Sequence, residues 1–276
     1  MIVNADDLGF SPGVTDGIFR AHHEGIVTSA TLACNMPFAD EAVNRLFEAP
    51  NLGVGVHLNV SQGPALSPAG KRHLVGEGGV MNRSARAVIS DVIARRWLLD
   101  VYEEEFDAQI RWALDHGVRV THLDSHRHSH AFPPVFMRVS RLARRYDIRH
   151  IRRHGEGIIF RKLTGGAWKQ TMLSGALSMC SQINTLLDRT HVRTVRGTLG
   201  VADTGRIDAR WLVETLRTLR WGVTEIMTHP GLADDIAPSV SRLRESRHVE
   251  LEALCDASVK EAVRRYEVEL INYGSL

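Results

Sequence analysis

Aspartate or histidine stands at four places where an apolar run stops. The segments are Asn4-Ala5-Asp6-Asp7-Leu8-Gly9, Gly55-Val56-His57-Leu58-Asn59, Thr121-His122-Leu123-Asp124-Ser125-His126-Arg127-His128 and Met227-Thr228-His229-Pro230-Gly231. Two imidazoles and a carboxylate facing one point make a metal site with positions left for water and substrate. A divalent ion there lowers the pKa of a bound water and polarises a carbonyl under attack, which is hydrolytic chemistry. Neighbouring strand residues point to opposite faces. Asp6 and Asp7 therefore reach one site only where the strand ends and the chain turns, and Gly9 gives freedom for that turn. One carboxylate then binds metal while the other takes a proton from the water. Hydrolysis of an amide also needs a donor for the leaving nitrogen. His229 is the candidate, since Pro230 holds it in extended backbone.

Each feature has a plainer reading. Asp-Asp before Gly is commonly a turn or a helix cap. His57 inside an apolar run is more often a packed core histidine. His-Pro-Gly is often only a turn, and the run His122, His126, His128, His130 reads equally as a solvated loop. The functional reading gains because all four plain readings must hold together, each at the end of a strand. Which histidine of the fourth segment binds metal stays open on these grounds. On continued strand geometry His122, Asp124, His126, His128 and His130 share a face. Asp124 could orient a ligating histidine by accepting its other N–H.

The elements that must position these groups follow from periodicity. Apolar runs predict buried strands over Ile2–Ala5, Ser29–Cys34, Gly53–Leu58, Val118–Leu123, Ile148–Ile151, Thr194–Thr198 and Val223–Met227. Helical spacing falls between them, over Val14–His23, Tyr102–His116, Pro133–Tyr146, Gln170–Leu187, Arg210–Leu219 and Ala257–Tyr266. Strand and helix in alternation predict an α/β fold, a distorted (β/α) barrel of about seven parallel strands. It is read as a single domain over residues 1–276. Ligand sites in such folds lie at the carboxyl ends of the strands. Two regions, 61–86 and 155–189, break the rhythm with Gly, Pro and Ser and read as a loop over the site and an insertion.

Composition narrows the field. The 276 residues are 43% hydrophobic but only 6% aromatic, so aliphatic side chains must fill the core. A formal charge of +2 gives no reason to expect nucleic acid or a membrane as partner. Three cysteines without repeating spacing argue against a disulfide framework and fit a reducing cytoplasm. No signal-peptide pattern and no apolar run near the ~18 residues of a membrane span is found. The arginines of 138–153 read mostly as a solvated helix face, with Arg152 and Arg153, after a predicted strand, as the substrate contacts. No serine or cysteine sits in a strand–turn–helix elbow, and no phosphate-binding glycine loop is present.

Taken together, Val3-Asn4-Ala5-Asp6-Asp7-Leu8-Gly9, Gly55-Val56-His57-Leu58, Thr121-His122-Leu123-Asp124-Ser125-His126-Arg127-His128 and His229-Pro230 resemble the YdjC-like carbohydrate deacetylases. That family takes in chitooligosaccharide and hopanoid-associated deacetylases. The resemblance runs from Met1 to about Tyr273, and Arg196–Gly205 looks closer to the hopanoid-associated branch. It implies removal of acetyl from an N-acetylated amino sugar, releasing acetate and a free amine, with water activated by a divalent metal as nucleophile. By position it assigns Asp7, His57 and His126 to the metal, Asp6 to the general base and His229 to the late histidine. Asp124, His128 and Arg152 are the expected substrate contacts. The resemblance implies magnesium and a homodimer. The ligand set suits zinc as well by softness. Two other readings stay in view: a different amidohydrolase-type metal hydrolase, and a non-catalytic sugar- or metal-binding protein. The first places a His-x-His on its first strand, whereas His128-Ser129-His130 is mid-chain. The second has no need of Asp6 as a base.

Overall fold

The computed structural model describes residues 1–155, 168–188, 195–219, 221–237 and 241–276. Its centre is one sheet of six strands: β1 (Ile2–Leu8), β2 (Ser29–Leu32), β3 (Gly53–Leu58), β6 (Val120–Ser125), β7 (Thr198–Leu199) and β8 (Glu225–Thr228). The spatial order is β6-β3-β2-β1-β8-β7, and every pair is parallel. Helices cover the outside, so β1, β2, β3 and β8 are buried along their whole length. That is why they read as unbroken apolar runs rather than alternating ones. The six regular strands by themselves curl into a half-barrel, as the alternation of strand and helix implies.

The predicted strand Ile148–Ile151 is not a regular strand, yet its segment does a strand's work. Ile151 bridges Leu123 of β6, and His154 bridges Thr198 of β7, both in parallel. Leu123 N–H donates to His150 O at 2.9 Å, Arg152 N–H to Leu123 O at 2.9 Å, and Thr198 N–H to Arg153 O at 2.8 Å. One segment thus joins the two free edges of the sheet and closes the barrel at a seventh position. The predicted strand Thr194–Thr198 appears only as the short β7, and Thr194 lies outside the described residues.

Helix ends follow their sequence signals. Ser11 caps Pro12–His23, its Oγ accepting from Val14 N–H at 3.2 Å, with Pro12 in the first turn. Asp208 and Asp256 cap Ala209–Thr218 and Ala257–Arg265 in the same way. The loop expected over 61–86 contains more structure than its composition suggests. A two-stranded antiparallel ribbon pairs β4 (Gln62–Gly63) with β5 (Met81–Asn82), and Pro68–His73 is a short helix. Of the second irregular region, 156–167 and 189 lie outside the described residues, while Trp168–Leu187 is the expected helix. Helix Arg244–Cys255 had no clear periodic signal, and it matters for the site. Among the described residues no helix is long and apolar enough to cross a membrane.

Candidate metal centre and active site

β1 was expected to end before its aspartates. It runs instead to Leu8, and the turn falls on Asp7, whose φ is 73°. The register against β2 shifts between Ala5 and Leu8 at the same point. A non-glycine residue in the left-handed region is uncommon, and aspartate is among those that tolerate it best. The twist undoes the alternation of the strand, so Asp6 and Asp7 both line one cavity. Gly9, at φ 79°, completes the turn where a Cβ would lie 2.9 Å from the Ala39 backbone.

The other strands end level with it. Ala5 pairs with Thr228 and His57 with Asp124, so His57, Asp124 and the residue after Thr228 arrive at one rim. The cavity there measures about 710 Å³ and is lined by Asp6, Asp7, His57, His126, His128 and His229 among others. The loop region 61–86 contributes Gln62 and Ser84 to its wall.

Asp7 Oδ1 lies 3.4 Å from His57 Nε2 and 3.5 Å from His126 Nδ1. These three atoms sit within 4.8 Å of one another. The other nitrogen of each ring is engaged elsewhere. His57 Nδ1 lies 2.7 Å from Asp124 Oδ1, and His126 Nε2 lies 3.1 Å from Gln62 Oε1. Because those partners are acceptors, the outer nitrogens carry the protons, and lone pairs face inward on both rings. Asp7 Oδ1 is buried and has no hydrogen-bond partner. Three acceptors aimed at one point repel unless a positive charge lies between them, so the residues fit a cation.

Charge points the same way. Asp6, Asp7, Asp124 and Glu225 are buried carboxylates, and two buried guanidiniums, Arg152 and Arg247, pair with them. A divalent ion would balance the remainder. Burial by itself would lower the His57 imidazole, but Asp124, then Asp6 and Asp7, reverse that and push it up to about 9, so that with no cation between the three groups a proton takes the inward nitrogen, and a bound cation would displace it. Burial would raise the Asp7 carboxyl, yet Arg247, His126 and His57 hold it well below its usual range. Burial lowers His126, with Asp7 opposing.

Arg152, on the closing segment, reaches into the barrel. Its Nη1 and Nη2 donate to Asp6 at 2.8 and 2.6 Å, Nη1 lies 2.6 Å from Asp124 Oδ2, and Nε donates to Glu225 Oε1 at 2.9 Å. Glu225 also accepts from Thr198 Oγ1 at 2.5 Å and Tyr273 Oη at 2.9 Å. Against the cost of burial, this guanidinium keeps Asp6 ionised, with its carboxyl below the usual range. The expected roles of Arg152 and Asp124 as substrate contacts do not fit these positions. Both side chains are 0% exposed and lie beneath the cavity rather than in its wall. Asp124 instead orients His57, with Thr31 Oγ1 donating to its second oxygen at 3.2 Å. His128 does reach the cavity, from left-handed backbone at φ 57°.

His229 Nε2 lies 4.0 Å from Asp6 Oδ2. Burial lowers its imidazole to about 4, against the pull of Asp6, so it is neutral near pH 7. Its backbone N–H donates to Glu250 Oε2 at 2.6 Å. Two other histidines of the cluster are not at the centre. His122 stacks on Tyr273 at 3.9 Å, and His130 bonds Ser125 Oγ at 2.6 Å.

Sequence reasoning missed Arg247, Glu250, Gln62 and Glu225. Arg247 and Glu250 are three apart on Arg244–Cys255, so they share a face. Charges at that spacing read as a solvated surface, and nothing local to the segment says that this face is buried.

The family model of YdjC-like proteins matches residues 1–265. A carbohydrate deacetylase of Brevibacillus brevis is 32% identical over 277 residues, covering 100% of this chain and 99% of the relative. One from Thermoanaerobacter pseudethanolicus is 30% identical over 279 residues, covering 100% and 98%. A crystal structure of a candidate cellobiose-phosphate cleavage protein from Enterococcus faecalis superposes with a TM-score of 0.80 at 28% identity, covering 99% of this chain and 97% of that one.

Proposed function

This chain belongs to the YdjC-like protein family, and from that premise we propose that it is a metal-dependent deacetylase of N-acetylated amino sugars. The observation that carries the reading is the meeting of Asp7 Oδ1, His57 Nε2 and His126 Nδ1, the first two buried and the third half-buried, all facing one point beside Asp6 and His229. The two full-length relatives above, both carbohydrate deacetylases, supply the substrate class.

Asp7, His57 and His126 would hold the ion. A divalent cation there supplies Lewis acidity, easing loss of a proton from water and polarising the acyl carbonyl. Magnesium is the first choice from the family and zinc the second from the donors. Asp6, kept ionised by Arg152, is the base that takes the proton as the water oxygen bonds to the acyl carbon. His229 is neutral at rest. It receives the proton from Asp6 and passes it to the leaving nitrogen as the C–N bond breaks. One water is consumed, and acetate and the free amine are formed. No covalent acyl-enzyme arises. Tetrahedral collapse needs the leaving amine protonated, which is why an acid within reach of Asp6 matters. We also propose a homodimer in the cytoplasm, in keeping with three unpaired cysteines.

Acetate release tests the proposal. The protein is stripped with chelator and reloaded with magnesium or zinc. It is then incubated with N-acetylglucosamine, its phosphate, chitobiose and a lipid-linked acetylglucosamine. Metal-dependent acetate from at least one of them is expected. Metal uptake with no acetate from any of them would favour a binding protein. Release of other acids or ammonia would favour a different amide hydrolase.

A further inference from the structure

Arg152 and Arg247 are the two buried guanidiniums of the site, and they differ in one respect. Every nitrogen of Arg152 meets a carboxylate. Arg247 pairs with Asp7 Oδ2 through Nη2 alone. Its Nε and Nη1 are buried and have no hydrogen-bond partner among the described residues. Yet the residue, 1% exposed, lines the cavity that holds Asp6, Asp7 and His229. Phe10 lies across one side of it, 5.9 Å from the guanidinium carbon. Helix Arg244–Cys255 fixes its backbone, with Arg247 O accepting from Gly231 N–H at 3.2 Å.

A charged donor buried without an acceptor is costly, and such groups persist where a ligand supplies what the protein does not. The chemistry of the cavity names the ligand atom. In amide hydrolysis the acyl oxygen passes from carbonyl to anion and ends in a carboxylate. A planar guanidinium suits both anionic forms, since it is always charged and donates in a fixed fork. Donors already in place where negative charge develops need no rearrangement at the moment of reaction.

We propose that Arg247 is a further catalytic residue: it steadies Asp7 with one Nη and donates its free N–H groups to the substrate's acyl oxygen and then to the released acetate. No bond forms or breaks at Arg247. The inference rests on the amide-hydrolysis reading, and it adds a contact made by a helix outside the strand ends.

The test compares wild type with Arg247→Lys and Arg247→Ala, each saturated with the same divalent ion as judged by calorimetry. In Arg247→Lys, kcat is expected to fall on the order of 10²-fold, with KM changed by less than about threefold. Acetate, titrated by calorimetry and as an inhibitor, should bind at least about tenfold more weakly. Guanidinium chloride should restore part of the turnover of Arg247→Ala. If the Ala variant does not fold, the Lys variant decides. Unchanged acetate affinity in Arg247→Lys overturns the proposal. So does a loss of turnover repaired by higher metal concentration, which would leave Arg247 only a support for Asp7. If wild type releases no acetate from any sugar, the deacetylase reading fails instead. The calorimetric comparison of acetate binding still judges Arg247 in that case.

Discussion

His57 is held by Asp124. The Nδ1 to Oδ1 distance is 2.7 Å, both side chains are buried, and the contact forces the other imidazole nitrogen toward Asp7. A carboxylate behind a ligating imidazole fixes its tautomer and raises its basicity. Asp124→Asn should therefore bind the divalent ion roughly 10- to 100-fold more weakly. Isothermal titration with magnesium and zinc measures this, and turnover at saturating metal should recover in large part.

Asp6→Asn separates metal binding from chemistry. Asn keeps the shape and loses the proton acceptor. We expect metal affinity within a few-fold of wild type and kcat reduced on the order of 10²- to 10⁴-fold. A variant that turns over at the wild-type rate would show that Asp6 is not the base.

Arg152→Met leaves Asp6, Asp124 and Glu225 buried around a missing charge. Breaking such a group by removing one partner costs about 3–5 kcal/mol. Urea unfolding should read that loss, and Tm should fall by on the order of 10 °C. An unchanged midpoint would mean that the carboxylates find other partners.

Burial raises Glu250 to about 7 from an ordinary 4.5, against the His229 N–H and Arg247. The folded state then binds more protons than the unfolded one between these values. Glu250 thus contributes stability that is fully present below pH 4.5 and is lost as pH rises through 7. Glu250→Gln, which still accepts from His229 N–H, should remove this dependence. The difference in stability between wild type and variant should change by about 3 kcal/mol across that window. Chemical unfolding at pH 4.5 and at pH 7.5 checks it, and a difference that does not vary with pH refutes the assignment.

The strand ends were legible because burial on both faces writes a strand as an apolar run, and a polar residue after such a run stands out. Asp6, Asp7, His57, His126 and His229 stand out that way, and all five line one cavity. The backbone at Asp7 was not, since left-handed geometry leaves no mark when the residue is aspartate rather than glycine. Arg152 was picked out for the wrong neighbour. Its place after a predicted strand was visible, but the three carboxylates that draw it inward come from β1, β6 and β8. Arg247 and Glu250 could not be read at all. Their burial depends on how a late helix docks against Pro12–His23 and Ala209–Thr218, which is a tertiary fact.

The seam at Ile151–His154 has a consequence for the order in which this molecule comes together. Asp6 stands on β1, and its guanidinium partner lies 146 positions later. Glu225 follows a further 73 after that. Until all three meet, Asp6 lacks the guanidinium that holds it. Closing so long a loop is slow relative to local helix formation. The seam should then be the last part to gain protection from amide exchange on refolding, and catalytic competence should appear with it rather than with helix content.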